Sequence, residues 1–569
     1  MRTLVVAVLA ALVAVADARA DTPAPSMARH GMVATSQHYA TDIGVDILKH
    51  GGNAVDAAVA IEYALAVVHP CCGNLGGGGF AVVHLASGKN TFFNFREKAP
   101  EAASADMFLD SKGEQIPNST QVGYRAVAVP GTVLGLETML KRYGTMTRKQ
   151  VMAPAIRLAA QGYVLDAGDV NLMTEKQQFF TAQPNVAAIF LNKGQPWRVG
   201  DRPVQTELAQ TLTLIERDGA AAFYKGPIAG EIAAASSANG GLLTAKDFAD
   251  YSVTEGEPLH CRYRGYDIFS AAPPSSGGTT LCEILMVLEG YPVGKMDFNG
   301  ADSVHVMVEA MRHAFVDRNF QLGDPDFVHN PLDILLSEQH ASSIRAAIQP
   351  DKATPSDQVA PGRPPHEGMQ TTHVSVVDKA GNAVAMTITL NLNYGAKVIA
   401  GDTGFFLNNT MDDFTTKPGA PNFFGLIEGK NNAIAPGKRP LSAMTPTIIL
   451  KDGRLFMVVG SPGGPRIIST VAQTIVNVVD HGMDIQEAID APRIHHQWLP
   501  DSIYLEPSAI SPSVRQQLSA MGYAFSDMDP WSDAEGILVK PERLRNGRTR
   551  LVLYGGHDPR RPTSKAAGY

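Results

Sequence analysis

Met369-Gln370-Thr371-Thr372-His373-Val374-Ser375-Val376-Val377-Asp378 joins two unlike kinds of chain. Downstream, Val374, Val376 and Val377 open a β-branched run, Lys379-Ala380-Gly381-Asn382 is a turn cluster, and Ala383 to Leu390 resumes strand character with partial alternation. That pattern predicts a β-hairpin whose first strand begins at or near Thr371. Upstream, residues 349–370 carry prolines at 350, 355, 361, 364 and 365 and little apolar content, which predicts an irregular segment. An irregular tail thus ends at a threonine that opens a strand.

Threonine is an ordinary strand residue, so the hairpin alone reads as a loop entering a sheet. A second reading makes Thr371 a new N-terminus. A free α-amine beside a threonine hydroxyl supplies base and nucleophile in one residue, and that amine titrates near neutrality.

The chain has 569 residues, 44% hydrophobic and 18% charged, enough for a large core and for more than one domain. A formal charge of -8 gives no nucleic-acid footprint. Met1-Arg2, the apolar run Leu4 to Ala16 and Ala18-Arg19-Ala20 form a signal-peptide pattern over residues 1–20, with Asp21 first in the mature chain. The apolar run is too short to span a bilayer, so the expectation is an exported protein, periplasmic or secreted, with no membrane span. Cys71, Cys72, Cys261 and Cys282 allow three pairings; Cys261–Cys282 is possible, a bridge between neighbours is strained, and buried thiols are the favoured reading.

Asn53 caps an expected helix from Ala54 to Val68, closed by Pro70. The glycine run Gly76 to Gly79 reads as close backbone packing rather than a phosphate loop, because no Gly-Lys-Ser/Thr follows. Phe80 to Ala86 and Asn90 to Arg96 predict a second hairpin. Arg96 at its end is either a surface ion-pair residue or a planar clamp for a carboxylate. Ala126 to Gly131 reads as a strand, residues 150–250 as mainly helical, and Asp302 and Ser303 as caps of a helix from Val304 to Phe320. Pro418 to Gly429 reads as a candidate lid. Ser461-Pro462-Gly463-Gly464 follows a strand and precedes a helix from Ile467, so it is either a tight turn or a set of N–H groups aimed at an oxyanion. His495 and His496 are adjacent on a strand, point to opposite faces and so make a poor chelating pair.

Thr371 to Asn391 resembles the start of the small subunit of the γ-glutamyltranspeptidases, which are N-terminal-nucleophile hydrolases. HPCCGNLGGGGF, FNFREKAP, PPSSGGTT, LNNTMDDF, APGKRPLSAMTPTI and GSPGGPRI extend the resemblance over nearly the whole mature chain. The resemblance implies an α/β fold, the αββα four-layer sandwich. It implies a precursor cut between Gln370 and Thr371 into a large subunit, 21–370, and a small subunit, 371–569, held together as a heterodimer. Thr371 would be the nucleophile, Thr389 its orienting residue, and Gly463 and Gly464 the oxyanion hole. Arg96 and Ser442 would hold the donor α-carboxylate, and Asn391 and Asp413 its α-amino end. Thr410 stands where the family commonly has Gln or Glu, and Ala443 where it has a second Ser. Each departure removes a hydrogen-bonding group, worth about 1 kcal/mol.

No spacing suggests a zinc site, and neither a cofactor nor a metal is expected. The substrates that the resemblance implies would be glutathione and other γ-glutamyl compounds, with water, amino acids or dipeptides as acceptors. A glutaryl-type (cephalosporin) acylase on the same fold is an alternative enzyme reading, and a non-catalytic periplasmic binding protein an alternative of another class.

Overall fold

The computed structural model describes residues 22–359, 371–543, 547 and 549–569. The signal-peptide segment and Gln370 lie outside the described residues. Two seven-stranded sheets form the centre. One, the nucleophile sheet, holds the hairpin Thr372–Val377 and Ala383–Thr389, flanked by Met32–Thr35 on one side and Gly78–His84 on the other. The other holds Arg454–Gly460, paired antiparallel with Thr447–Lys451 and with Glu535–Arg543.

Side-chain parity makes the four layers. Val374, Val376, Val384, Met386 and Ile388 share a buried cluster with the helices His38–Lys49 and Ala54–Val68. The intervening Ala383 and Ala385 lie in a second cluster with Val458, Val459 and the helices Gly277–Glu289 and Arg466–Val479. Small residues on the inner face let the sheets approach: His373 lies against Gly460, and the Ser375 hydroxyl donates to the Glu535 carbonyl at 3.1 Å. Helix, sheet, sheet and helix therefore stack in the expected order.

The expected helix Ala54–Val68 is present with an Asn53 capping box, and every residue in it is buried. Gly77 shows what the glycine run is for: a Cβ there would lie 2.0 Å from the Thr389 carbonyl oxygen. Three local expectations change. Ala126 to Gly131 is not a sheet strand; the Asn408 side chain bonds both the N–H and the C=O of Ala128, at 3.0 and 2.8 Å, in place of a strand partner. The helix expected from Val304 runs Ala301–Gln321 from a Gly300 cap, and Ser303 bonds back to Asp297 and Gly300 carbonyls instead of capping it. The cysteines are not thiols: Cys261 pairs with Cys282 across 6.0 Å between Cα atoms, and Cys71 pairs with Cys72.

Candidate active site

The hairpin register sets Thr372 opposite Ile388 and His373 opposite Thr387, which continues to place Thr371 opposite Thr389. Both threonines have the inward parity. The Thr371 hydroxyl donates to Thr389 Oγ1 at 3.3 Å, and Thr389 Oγ1 also accepts the Asn391 N–H at 2.8 Å. Asn391 takes a positive φ of 74°, so the chain turns sharply after the strand and returns its side chain to the Asn409 carbonyl, 3.2 Å away. His373 is the imidazole nearest in sequence. Burial pushes its pKa down to about 3, and its ring nitrogens meet Thr387 Oγ1 at 2.8 Å and Ser375 Oγ at 3.1 Å. It is a neutral spacer between the sheets.

A cavity of about 30 Å³ opens at Thr371 and Thr389, lined also by Arg96, Arg318, Asn391, Asp413, Phe424, Ser442, Ala443, Met444 and Gly464. That is roughly one water's share of liquid. Arg96 is fully buried with every nitrogen committed. Nη2 pairs with Asp413, Nη1 lies 3.4 Å from Glu97, and Nε donates to the Pro440 carbonyl at 3.3 Å. Burial raises the pKa of Asp413, against the pull of Arg96, and raises that of Glu97 in the same way. Ser442 is held by backbone: its N–H donates to Pro274 O at 2.9 Å and its carbonyl accepts the Ser276 hydroxyl at 2.6 Å.

The Ser461 to Pro465 turn delivers Gly464 to the cavity, at φ +57°, with Gly463 behind it at φ +133°. Neither glycine N–H has a hydrogen-bond partner among the described residues. Phe424 covers this turn closely, 2.6 Å from where a Gly464 Cβ would sit, so the expected lid segment does lie over the site. A larger cavity of about 520 Å³, lined by Phe108, Gln115, Asp412 and Phe423, lies behind the same aspartate turn and does not include Thr371.

Most of the expected residues therefore meet. Thr410 does not line the cavity; its hydroxyl turns away and donates to Glu97 Oε1 at 2.8 Å. Gly463 lines it only through its neighbour. Arg318 and Glu97 are the residues that sequence reading missed, whereas Phe424 belongs to the expected lid. Arg318 follows Met311 by seven residues and Phe315 by three, a charge on the apolar face of a buried helix, and that was its visible signal. As for metals, Glu283, Asp317 and His340 bring ligating atoms together. His340 Nε2 lies 2.9 Å from Asp317 and 3.4 Å from Glu283. Its hydrogen bond with Glu283, ahead of other causes, pushes its pKa up to about 9, so near neutral pH a proton occupies the place a cation would take.

Comparison with known proteins agrees with this geometry. The family model for Gamma-glutamyltranspeptidase matches residues 40–568. The chain belongs to that family. A glutathione hydrolase proenzyme of Pseudomonas sp. (strain A14) is 52% identical over 557 residues, covering 97% of this chain and 96% of that one. One from Escherichia coli (strain K12) is 46% identical over 547 residues, 96% and 93% of the two chains. Among solved structures, a cephalosporin acylase from Bacillus halodurans superposes with a TM-score of 0.84 at 27% identity, covering 98% of this chain and 99% of that one.

Proposed function

We propose that this γ-glutamyltranspeptidase is an exported, self-processing γ-glutamyltransferase and glutathione hydrolase. The observation that carries the reading is the Thr371–Thr389 hydroxyl pair at the head of the hairpin, beside a buried Arg96–Asp413 ion pair. The Thr371 hydroxyl attacks the Gln370 carbonyl, the peptide becomes an ester, and water releases the large subunit, 21–370, from the small subunit, 371–569. The freed α-amine of Thr371 then serves as base, the role His373 cannot take.

The Arg96–Asp413 pair explains how a γ-glutamyl donor is recognised. Its α-carboxylate replaces Asp413 on the guanidinium fork, and its α-ammonium takes the Asp413 carboxylate, so one zwitterion divides one ion pair. Ser442 joins Arg96 at the carboxylate end, and Asn391 joins Asp413 at the ammonium end. The scissile carbonyl then faces Thr371, and the unpartnered N–H groups of Gly463 and Gly464 suit the oxyanion. Loss of an amine such as cysteinylglycine leaves a γ-glutamyl ester on Thr371 for water, an amino acid or a dipeptide. Phe424 lines the same cavity, and in this reading its segment lifts to widen it for the donor.

Ala443 lines the cavity with a methyl group, and Thr410 is turned to Glu97. These favour the glutaryl acylase as the second reading. γ-Glutamyl and glutaryl p-nitroanilides compared side by side decide between them: γ-glutamyl turnover exceeds glutaryl turnover under the first reading, and the reverse order overturns it. On a denaturing gel the active protein runs as two bands, the smaller beginning at Thr371, and Thr371→Ala stays uncut. A single full-length band from active enzyme would refute self-processing.

A further inference from the structure

Arg318 stands on the helix Ala301–Gln321, 2% exposed, and lines the same cavity as Thr371, Arg96 and Ala443. Three contacts hold it: Nε donates to Ser276 Oγ at 3.1 Å, and Nη1 donates to Asn319 Oδ1 at 2.8 Å and to Glu428. Nη2 has no hydrogen-bond partner among the described residues. A guanidinium has five N–H donors, and these contacts leave the two of Nη2 for another partner. Arg318 lines the cavity, and Nη2 is the part of the guanidinium that its three supports leave over.

The supports also say which end of a donor it meets. The Ser276 hydroxyl that accepts from Arg318 donates in turn to the Ser442 carbonyl at 2.6 Å, so Arg318 is tied to the wall assigned to the α-carboxylate. Glu428 is shared as well: Asn432 Nδ2 bridges Glu428 Oε2 at 2.5 Å and the Asp413 carbonyl at 2.6 Å. Arg96 has its three nitrogens committed before any donor arrives, whereas Arg318 has one waiting. Ala443, on the same wall, has no hydroxyl to give.

We propose that Arg318 is a substrate-binding residue that forms, with Arg96, a two-guanidinium seat for the donor α-carboxylate, supplying the hydrogen bond that Ala443 cannot. The proposal rests on the γ-glutamyl reading above. The loss of polar groups at Ala443 and Thr410 is thereby offset from the helix Ala301–Gln321. A chain with this seat favours donors with a free α-carboxylate over donors whose α-carboxyl is an amide.

The test uses two donors, γ-glutamyl p-nitroanilide and the same compound with its α-carboxyl converted to a carboxamide. Arg318→Gln raises KM for the carboxylate donor, lowering kcat/KM about 10- to 100-fold, the scale of one lost charge-assisted hydrogen bond. It changes kcat/KM for the carboxamide donor less than about 3-fold, because that donor has no charge to lose. Adding Ala443→Ser to the Arg318→Gln enzyme recovers part of the loss on the carboxylate donor alone. Equal losses on both donors would mean that Arg318 only props the Glu428 segment, and no loss on either would mean that it faces no substrate; each overturns the proposal. Two bands on a gel report that the variant folds and processes. Should Arg318→Gln stay uncut, Arg318→Lys keeps the charge and the Glu428 pair, loses the fork, and is put through the same comparison. A wild type that prefers glutaryl anilide would sink the γ-glutamyl reading itself, an outcome visible before any variant is made.

Discussion

Thr389→Val isolates the hydroxyl pair. Valine keeps the β-branched shape of threonine on a fully buried strand and exchanges one hydroxyl for a methyl. Two donors lose their acceptor. The Asn391 N–H, 2.8 Å away and buried, is left unsatisfied, which costs about 1–3 kcal/mol. The Thr371 hydroxyl loses a bond of 3.3 Å, beyond the usual O–H···O range and worth about 0.5 kcal/mol. Stability therefore falls by about 1–3 kcal/mol, which for a chain of this size is only about 1–3 degrees in Tm. The larger effect is on rate: an untethered Thr371 hydroxyl no longer waits in one rotamer, and misorientation of this kind costs about 10- to 100-fold. Release of p-nitroaniline, normalised to the processed fraction on a gel, separates turnover from self-cleavage. kcat falls while KM stays within about 3-fold, self-cleavage slows, and Thr389→Ser restores both. Processed Thr389→Val enzyme turning over at the wild-type kcat would refute the orienting role.

Other outcomes follow from the same site. Arg96→Lys keeps the charge but cannot meet Asp413, Glu97 and Pro440 with one fork, so KM for a γ-glutamyl donor rises by more than kcat falls; an unchanged KM removes Arg96 from the carboxylate seat. Asp413→Asn lowers kcat/KM for γ-glutamyl anilide about 100-fold and leaves glutaryl anilide nearly untouched, since only the first carries an ammonium; equal losses would count against that pairing. Burial raises the Asp413 pKa, and the ionised form is the one that takes the ammonium. The acid limb of kcat/KM for γ-glutamyl donors therefore lies above the ordinary aspartate range and is absent in Asp413→Asn. The raised pKa also means that the folded state holds this proton more tightly than the unfolded chain. Its contribution to stability is full below the unfolded pKa and is lost as pH rises through the folded one, so Asp413→Asn flattens that part of the pH–stability curve.

Local chemistry in the sequence determined a good deal. The β-branched run and the turn at Lys379 to Asn382 specify the hairpin, and its register alone sets Thr371 across from Thr389. Asn53 and Pro70 bound a helix correctly because caps act within a few residues. The resemblance carried by the motifs around Arg96, Asp413, Ser442 and Gly464 named cavity residues in advance, which local chemistry alone left open. What tertiary structure decided was every contact between distant segments. Asn408 replaces a strand partner for Ala128, so propensity alone misread Ala126 to Gly131. Thr410 looked like a pocket residue by position, but a buried Glu97 requires a donor and takes its hydroxyl. Arg318 was invisible as chemistry because its meaning depends on Ser276, Glu428 and Ser442, which lie 42, 110 and 124 residues away in the chain and meet only when the two sheets close. Sequence fixes what a few neighbours can settle by local geometry; burial and long-range pairing, which decide where a charge is satisfied, exist only in the folded chain.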